Sequence, residues 1–233
     1  AVRCHLRFVT GRAEERLSFD LQSEIAARMG YRDRTGQLGV ERFMKRYFLV
    51  AKDVGALTRI IAAKLEAEQK KKPEGFRRLL PQKTPQALED EGFVIDAGRV
   101  SITSEAVMKD DPLNMLRLFI IARRESKDIH PDALSAITRN LRALNEEIRS
   151  TEEARELILD AIIGGRDPAL ILRRMNEAGV LGKAIPEFGG IVAQTQFNMY
   201  HHYTVDEHTI RAVEAIAEME QVNGERVPLA SEI

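Results

Sequence analysis

Residues 40–65, VERFMKRYFLVAKDVGALTRIIAAKL, carry an apolar pattern with helical spacing and no proline. Apolar side chains recur there at steps of three and four residues, which is the spacing of one helix face. They are Val40, Phe43, Met44, Tyr47, Phe48, Ala51, Val54, Leu57, Ile61 and Leu65. A helix of roughly 28 residues is about 42 Å long at 1.5 Å per residue. The pattern predicts one long helix on which other elements pack.

Helical patterns extend in both directions from this segment. Upstream, a four-residue apolar spacing predicts a helix over residues 11–29 that ends at Gly30. Downstream, capping residues and first-turn prolines indicate further helix starts. These are Asp111-Pro112, His130-Pro131-Asp132, Ser150-Thr151-Glu152-Glu153 and Asp167-Pro168, followed by a last helix from about Asp206 to about Gln221.

Residues 73–103 interrupt the helical pattern with prolines, glycines and two short β-prone runs. Phe93–Ile95 and Arg99–Thr103 flank the turn residues Asp96-Ala97-Gly98, which predicts a small hairpin. The predicted fold class is therefore mainly α, a long-helix bundle with a small β-hairpin insertion.

The composition is that of a globular protein, with 44% hydrophobic and 30% charged residues in 233. The single cysteine, Cys4, excludes an internal disulfide framework and favours the reducing cytoplasm. No apolar run is long enough for a membrane span. The chain opens at Ala1 without an initiator methionine, from which we expect a trimmed piece of a longer protein.

Charge is distributed unevenly along the chain. Residues 1–100 carry six more basic than acidic side chains, whereas residues 151–233 carry seven fewer. A basic part could face phosphates, but mixed signs at helical spacing are more typical of a solvated helix face. A nucleic-acid footprint is normally a clustered, strongly basic patch, so nucleic-acid binding is not favoured.

The densest group of potential ligands lies near the end of the chain, at His201, His202, Asp206, Glu207 and His208. Imidazole and carboxylate groups suit zinc, manganese or iron. Paired histidines at a loop-to-helix junction also serve simply as hydrogen-bonding and packing residues. The spacing is not a specific ligand pattern, because a catalytic metal site normally has three or more protein ligands.

Two other segments invite a functional interpretation. Residues 188–205 contain no charged side chain, which indicates burial between domains, beside a site, or in an ordinary packed connector. Arg12 and Arg16 lie one helical turn apart and could meet phosphates, or could pair with Glu15 or Asp20 on a surface helix. The whole sequence has no phosphate-binding Gly-rich loop, no Asp-x-Asp, no Gly-Ser and no His-Asp pair.

Several segments, taken in order, together resemble one family. The chain resembles the bifunctional uridylyltransferase and uridylyl-removing enzymes of bacterial nitrogen control, which act on PII signal proteins. The segments that carry the resemblance are residues 1–6 (AVRCHL), 11–22 (GRAEERLSFDLQ), 41–47 (ERFMKRY), 112–119 (PLNMLRLF), 181–188 (LGKAIPEF) and 203–209 (YTVDEHT).

The resemblance implies an architecture with a nucleotidyltransferase domain, a helical middle, an HD-type phosphohydrolase domain and two glutamine-sensing ACT domains. On this basis residues 1–72 are the C-terminal helical part of the transferase domain and residues 73–103 a loop and β-hairpin insertion. Residues 104–200 are a helical linker domain, and residues 201–233 the first helix of an incomplete HD domain. The implied partners are PII and UTP, with glutamine acting through ACT domains outside this chain.

The resemblance also implies one site residue. His208 matches the first metal-binding histidine of the HD signature, and the implied metal of the parent protein is Mg or Mn. His201 and His202 match no signature position, and Arg12, Glu15 and Arg16 receive no role. We expect no catalytic residue here, an unknown substrate-binding set, and no activity of this chain alone. Its expected role is a helical scaffold between two catalytic domains.

Two alternatives come from other classes of protein. The chain could be a helical interaction module that binds PII or a sister subunit through residues 188–205, with Phe197 and Tyr200 as anchors. It could also belong to a template-independent RNA nucleotidyltransferase with similar helices. The weak charge balance counts against RNA binding, which normally leaves a basic face.

Overall fold

The computed structural model describes residues 1–70, 85–165, 167–197 and 203–221. The strands of this part are β1 (Gln86–Ala87), β2 (Phe93–Asp96) and β3 (Arg99–Ile102). The helices are α1 (Val2–Thr10), α2 (Phe19–Arg28), α3 (Gly39–Lys70), α4 (Ala106–Asp110), α5 (Asn114–Arg124), α6 (Pro131–Asn140), α7 (Glu146–Arg149), α8 (Glu152–Ile163), α9 (Pro168–Glu177), α10 (Val180–Ala184), α11 (Pro186–Ile191) and α12 (Val205–Gln221). The predicted mainly α fold is confirmed.

The chain forms two compact units. Unit 1 comprises residues 1–53 and 191–209, and unit 2 comprises residues 54–190 and 210–233. The four segments predicted from the sequence divide the chain by function, whereas these two units divide it by compactness. The boundaries of the four segments therefore stay predictions. Among the described residues, no helix combines the length and apolar character that a membrane crossing requires.

Unit 1 has a small core shared by α1, α2 and the first turns of α3. Its buried side chains are Leu6, Ile25, Ala26, Val40, Phe43 and Met44. Phe197, from the segment before α12, is partly buried against this cluster. The amphipathic start of α3 is therefore what holds the unit together, because it supplies half of the buried set.

The predicted helix over residues 11–29 is wrong in its first half. Helix α1 ends at its C-cap, Gly11, which has a positive φ of 65°. The connection that follows is not helical. The Glu14 carboxylate then accepts hydrogen bonds from the backbone N–H groups of Glu15 and Arg16, at 3.1 and 2.9 Å. These local bonds compete with helical ones, so α2 begins only after Ser18. Helix α1 itself was not predicted.

Unit 2 has the larger core, centred on α5. Most of the residues of α5 that face inward are fully buried, and α8 and α9 pack beside it. The buried set of α5 is Met115, Leu116, Leu118, Phe119, Ile121 and Ala122. Burial of one such side chain contributes about 1.5–3 kcal/mol relative to exposure, so α5 is the main apolar contribution of a single helix to this unit.

The predicted hairpin is confirmed and belongs to a three-stranded antiparallel sheet of order β1-β2-β3. Its two-residue turn, Ala97-Gly98, has positive φ at both positions, as a type I′ turn requires. Phe93 and Val100 are buried in the unit 2 core. Val100 also exchanges backbone hydrogen bonds with the chain just before α6, where its N–H donates to Asp128 and its carbonyl accepts from His130. The sheet is therefore an integral part of unit 2.

Most of the helix starts predicted downstream are confirmed to within one or two residues. His130 caps α6, Thr151 caps α8, and Asp167 caps α9 with a 2.9 Å bond to the N–H of Leu170. Asp111 accepts from the N–H of Leu113 in the turn that leads into α5. The apolar residues from Leu134 to Ile148 are divided between α6, a 3-10 turn at Leu141–Ala143, and α7.

The long helix is confirmed as α3, with 32 residues. The prediction that other elements pack on this helix holds for its first turns, whereas the apolar side chains of its later turns are exposed. In those later turns, which belong to unit 2, ion pairs connect α3 to two other helices of the same unit. Arg59 donates to the Glu177 carboxylate of α9, and the ammonium of Lys64 lies 3.3 Å from Asp132 of α6.

Candidate functional site

His208, the one residue for which the sequence predicts a metal-ligand role, lies in the first turn of α12. Its imidazole is exposed, and its backbone N–H donates to the carbonyl of Thr204 at 2.9 Å. Within the part of the chain that the structure describes, no three histidine, cysteine or acidic residues are grouped to hold a metal. His201 and His202 lie outside the described residues. The ligand role of His208 therefore stays a prediction.

Asp206 has a structural role that the sequence pattern did not reveal. Its side chain is buried, and its carboxylate accepts a 3.1 Å hydrogen bond from the backbone N–H of Ala193. The N–H of Val205 donates to the carbonyl of Gln194 at 2.8 Å, in the same place. Ala193 adopts a positive φ of 58° to make this turn. Asp206 thus joins the start of α12 to the segment that follows α11.

The charge-free segment supplies a packing residue to unit 1. The ring of Phe197 stacks on that of Phe19, with centroids 4.4 Å apart and an angle of 12°. The backbone N–H of Phe197 donates to the Glu41 carboxylate at 3.2 Å. A ring used in this way is poorly placed to anchor a partner, and Tyr200 lies outside the described residues. The interaction-module alternative therefore loses one of its two anchors.

Thr195, in the same segment, holds a buried hydroxyl without a hydrogen-bond partner among the described atoms. A buried hydroxyl without a partner costs about 1–3 kcal/mol.

The arginines near the start of the chain pair with acidic side chains. Glu15 accepts from Arg7 and Arg3 at 2.7 and 2.8 Å, and Arg12 donates to Glu14 at 2.9 Å. The hydrogen bond from Arg7, followed by that from Arg3, holds the pKa of Glu15 below its usual range. Arg12 and Arg16 lie in the connection between α1 and α2, so the predicted helical spacing between them is wrong.

Unit 2 contains a cavity of about 530 Å³ that sequence reasoning missed. It lies where α5 ends, between the turn after α5 and the start of α9. The apolar wall consists of Phe119, Ala122, Leu170 and Ile171, and the polar lining of Arg123, Ser126, Lys127, Asp128, Asp167 and Arg174, with Gly165 between. No sequence motif marks it, because the flanking glycines and Asp167-Pro168 indicate only a helix end and a helix start.

Four of the polar groups of this cavity, those of Arg123, Asp128, Asp167 and Arg174, have hydrogen-bond partners within the protein. Arg123 donates to the carbonyl and to the carboxylate of Asp160, both at 2.7 Å, and so joins α5 to α8. Arg174 donates to Asp128 at 2.6 Å. Gly164 is required beside this clamp, because a Cβ there would lie 1.9 Å from an Asp160 carboxylate oxygen. These bonds join α5 to α8, and α9 to the loop before α6.

Two family models match the chain in order. The model described as GlnD PII-uridylyltransferase matches residues 1–62, and the model described as the uridylyltransferase GlnD third domain matches residues 93–183. Together the matches cover roughly two thirds of the 233 residues. Neither match includes His208. No solved structure matches the chain.

Proposed function

The chain belongs to the GlnD PII-uridylyltransferase family, and from this membership we propose that it serves as a helical scaffold in a PII-modifying enzyme. The parent enzyme transfers UMP from UTP to PII proteins and hydrolyses UMP from PII-UMP. The helices described here hold the two catalytic domains. We place the enzyme in the cytoplasm, with glutamine as an effector that binds outside this chain.

One observation carries this proposal: two models of one family match successive parts of the chain, in the order expected. The side chains give additional support for a scaffold. Arg123 and Asp160 clamp α5 to α8, and the acids that could hold magnesium in a transferase, Asp-x-Asp, are absent from the sequence. We propose that this chain alone transfers no UMP.

The metal of the parent enzyme is proposed to be Mg or Mn. His208 would supply one imidazole to it, since the side chain is exposed at the start of α12. The described residues around His208 do not complete a ligand set. The described residues therefore do not form a metal site by themselves, and we propose that the other ligands come from other parts of the parent enzyme.

The scaffold proposal is tested in the whole parent enzyme with the variant Arg123→Ala. Loss of the clamp between α5 and α8 should lower the rates of UMP transfer and UMP removal by a similar factor, because Arg123 belongs to neither catalytic site. Arg155→Ala is the matched control, since the pair that Arg155 forms with Glu152 is exposed and lies within one helix. If Arg123→Ala lowers one rate and leaves the other unchanged, the scaffold role is wrong.

A further inference from the structure

The later turns of α3 carry their apolar side chains on the outside. Val54, Leu57, Ile61 and Leu65 are between 54% and 57% exposed, and Val50, one turn earlier, is 44% exposed. We call these five residues the α3 stripe. They recur at steps of three and four residues and so occupy one face of the helix. Two charged residues of these turns, Arg59 and Lys64, pair with Glu177 of α9 and Asp132 of α6 in the same unit.

This arrangement is the reverse of that of an ordinary surface helix, which turns its apolar face inward. The five aliphatic side chains exposed in one row form a contiguous apolar surface, and such surfaces mark interaction sites. Elsewhere in the described chain the exposed rows are shorter: Leu159 and Ile163 lie one turn apart on α8, and Ile216 is exposed on α12. The α3 stripe therefore requires a partner of matching shape.

We propose that the α3 stripe binds the same stripe of a second copy of this chain, with the two helices antiparallel. The spacing is self-complementary about a two-fold axis between residues 57 and 58. With that centre, Val54 lies opposite Ile61 of the second copy and Val50 lies opposite its Leu65. Leu57 lies beside the axis. Measured along the helix direction, the Leu57 residues of the two chains are about 1.5 Å apart.

The rows that border the stripe fit the same pairing. On one side the exposed residues Ala51, Gly55, Thr58 and Ala62 are small, which lets two helices approach closely. On the other side, antiparallel pairing brings Asp53 within one helical turn of Lys64 of the second copy. Lys64 is half exposed, and its ion pair with Asp132 is on the surface, where such pairs contribute little to stability. The symmetry would generate this opposite-charge pair twice.

The size of the contact predicts a weak dimer. A stable specific interface buries about 800 Å² per partner, and one helix face of roughly 24 Å, 16 residues at 1.5 Å each, is shorter than such interfaces require. Reversible association in the micromolar range is therefore expected. It is a property of the helix surface and does not depend on the catalytic role proposed above.

Sedimentation velocity of the 233-residue chain over a hundredfold range of concentration tests the proposal. We expect the wild type to shift from monomer to dimer as concentration rises. Leu57→Glu should weaken association at least tenfold, because it places two carboxylates at the two-fold axis. Ile216→Glu, a change at a similarly exposed position on α12, should leave association unchanged. A wild type that stays monomeric throughout, or a Leu57→Glu variant that dimerises normally, would overturn the proposal.

Cysteine cross-linking tests the antiparallel arrangement. In a Cys4→Ser background, Leu57→Cys should form an intermolecular disulfide under mild oxidation. Leu65→Cys should not form one, because in this pairing the residues at position 65 of the two chains are about 22 Å apart along the helices. Equal cross-linking at both positions would indicate a parallel pair and would contradict the register.

Discussion

At the residue scale, the turn of the hairpin shows how one backbone angle limits the choice of side chain. Ala97 and Gly98 both have positive φ, at 48° and 79°. An L-residue in that region incurs a cost of roughly 1–2 kcal/mol, because Cβ crowds the backbone. Glycine avoids that crowding but loses about 0.5–1 kcal/mol in conformational entropy on folding. Gly98 fits its position, whereas Ala97 is strained.

The variant Ala97→Gly should therefore raise the free energy of unfolding by about 0.5 kcal/mol. The reverse change at the next position, Gly98→Ala, should lower it by about 1 kcal/mol through backbone strain alone, since a Cβ there meets no other atom within 4 Å. Urea denaturation followed by circular dichroism measures both values. Destabilisation by Ala97→Gly would contradict the positive φ of this turn.

At the element scale, an ion pair joins α12 to α9 in unit 2. Both nitrogens of the Arg173 fork donate to the Glu214 carboxylate, at 3.2 and 2.7 Å. The hydrogen bond from Arg173 is the main reason that the pKa of Glu214 is lowered from its ordinary value. A carboxyl whose pKa is lower in the folded state stabilises the fold above its ordinary pKa, and this stabilisation is lost as the pH falls through the folded pKa.

Glu214→Gln should therefore destabilise the chain by about 0.5–1 kcal/mol at neutral pH, as expected for a partly exposed pair. The difference from wild type should shrink as the pH falls below the ordinary range of a glutamate, because the wild-type carboxylate then takes up a proton. Urea denaturation at a series of pH values measures it. Glu218→Gln, one turn further along α12 and exposed, is the control. A difference that stays constant into acid would refute the assigned cause.

The sequence predicted elements well where local chemistry determines them. The caps at His130, Thr151 and Asp167, the hairpin turn and the length of α3 all follow from residue type and spacing. The break at Gly11 was missed because the four-residue apolar spacing continues across it, and the Glu14 side chain competes with the helix. Similarly, periodicity identified the stripe of α3 but not whether it faces a core, because that depends on distant residues such as Glu177.

The candidate site was less predictable than the fold. The cluster from His201 to His208 suggested metal ligands, yet Asp206 is buried in a backbone contact that no spacing rule identifies. The cavity beside Arg123 depends on the meeting of α5, α9 and the loops next to them, and it has no local signature. The role of His208 rests on the resemblance of residues 203–209 and stays a prediction.

At the scale of the whole molecule, the chain forms two mainly helical units. The side chains described above connect neighbouring helices and strands within each unit. The family membership identifies the kind of enzyme, whereas the described residues supply clamps, caps and cores. We propose that such a chain holds catalytic domains and does not itself perform the chemistry.

The most direct test of that claim is the intact mass of PII protein after incubation with UTP, magnesium and this chain. The parent enzyme, assayed in parallel, is the positive control. We expect the parent enzyme to add UMP to PII and this chain to leave the mass of PII unchanged. A UMP-sized increase with the purified chain alone would contradict the scaffold role.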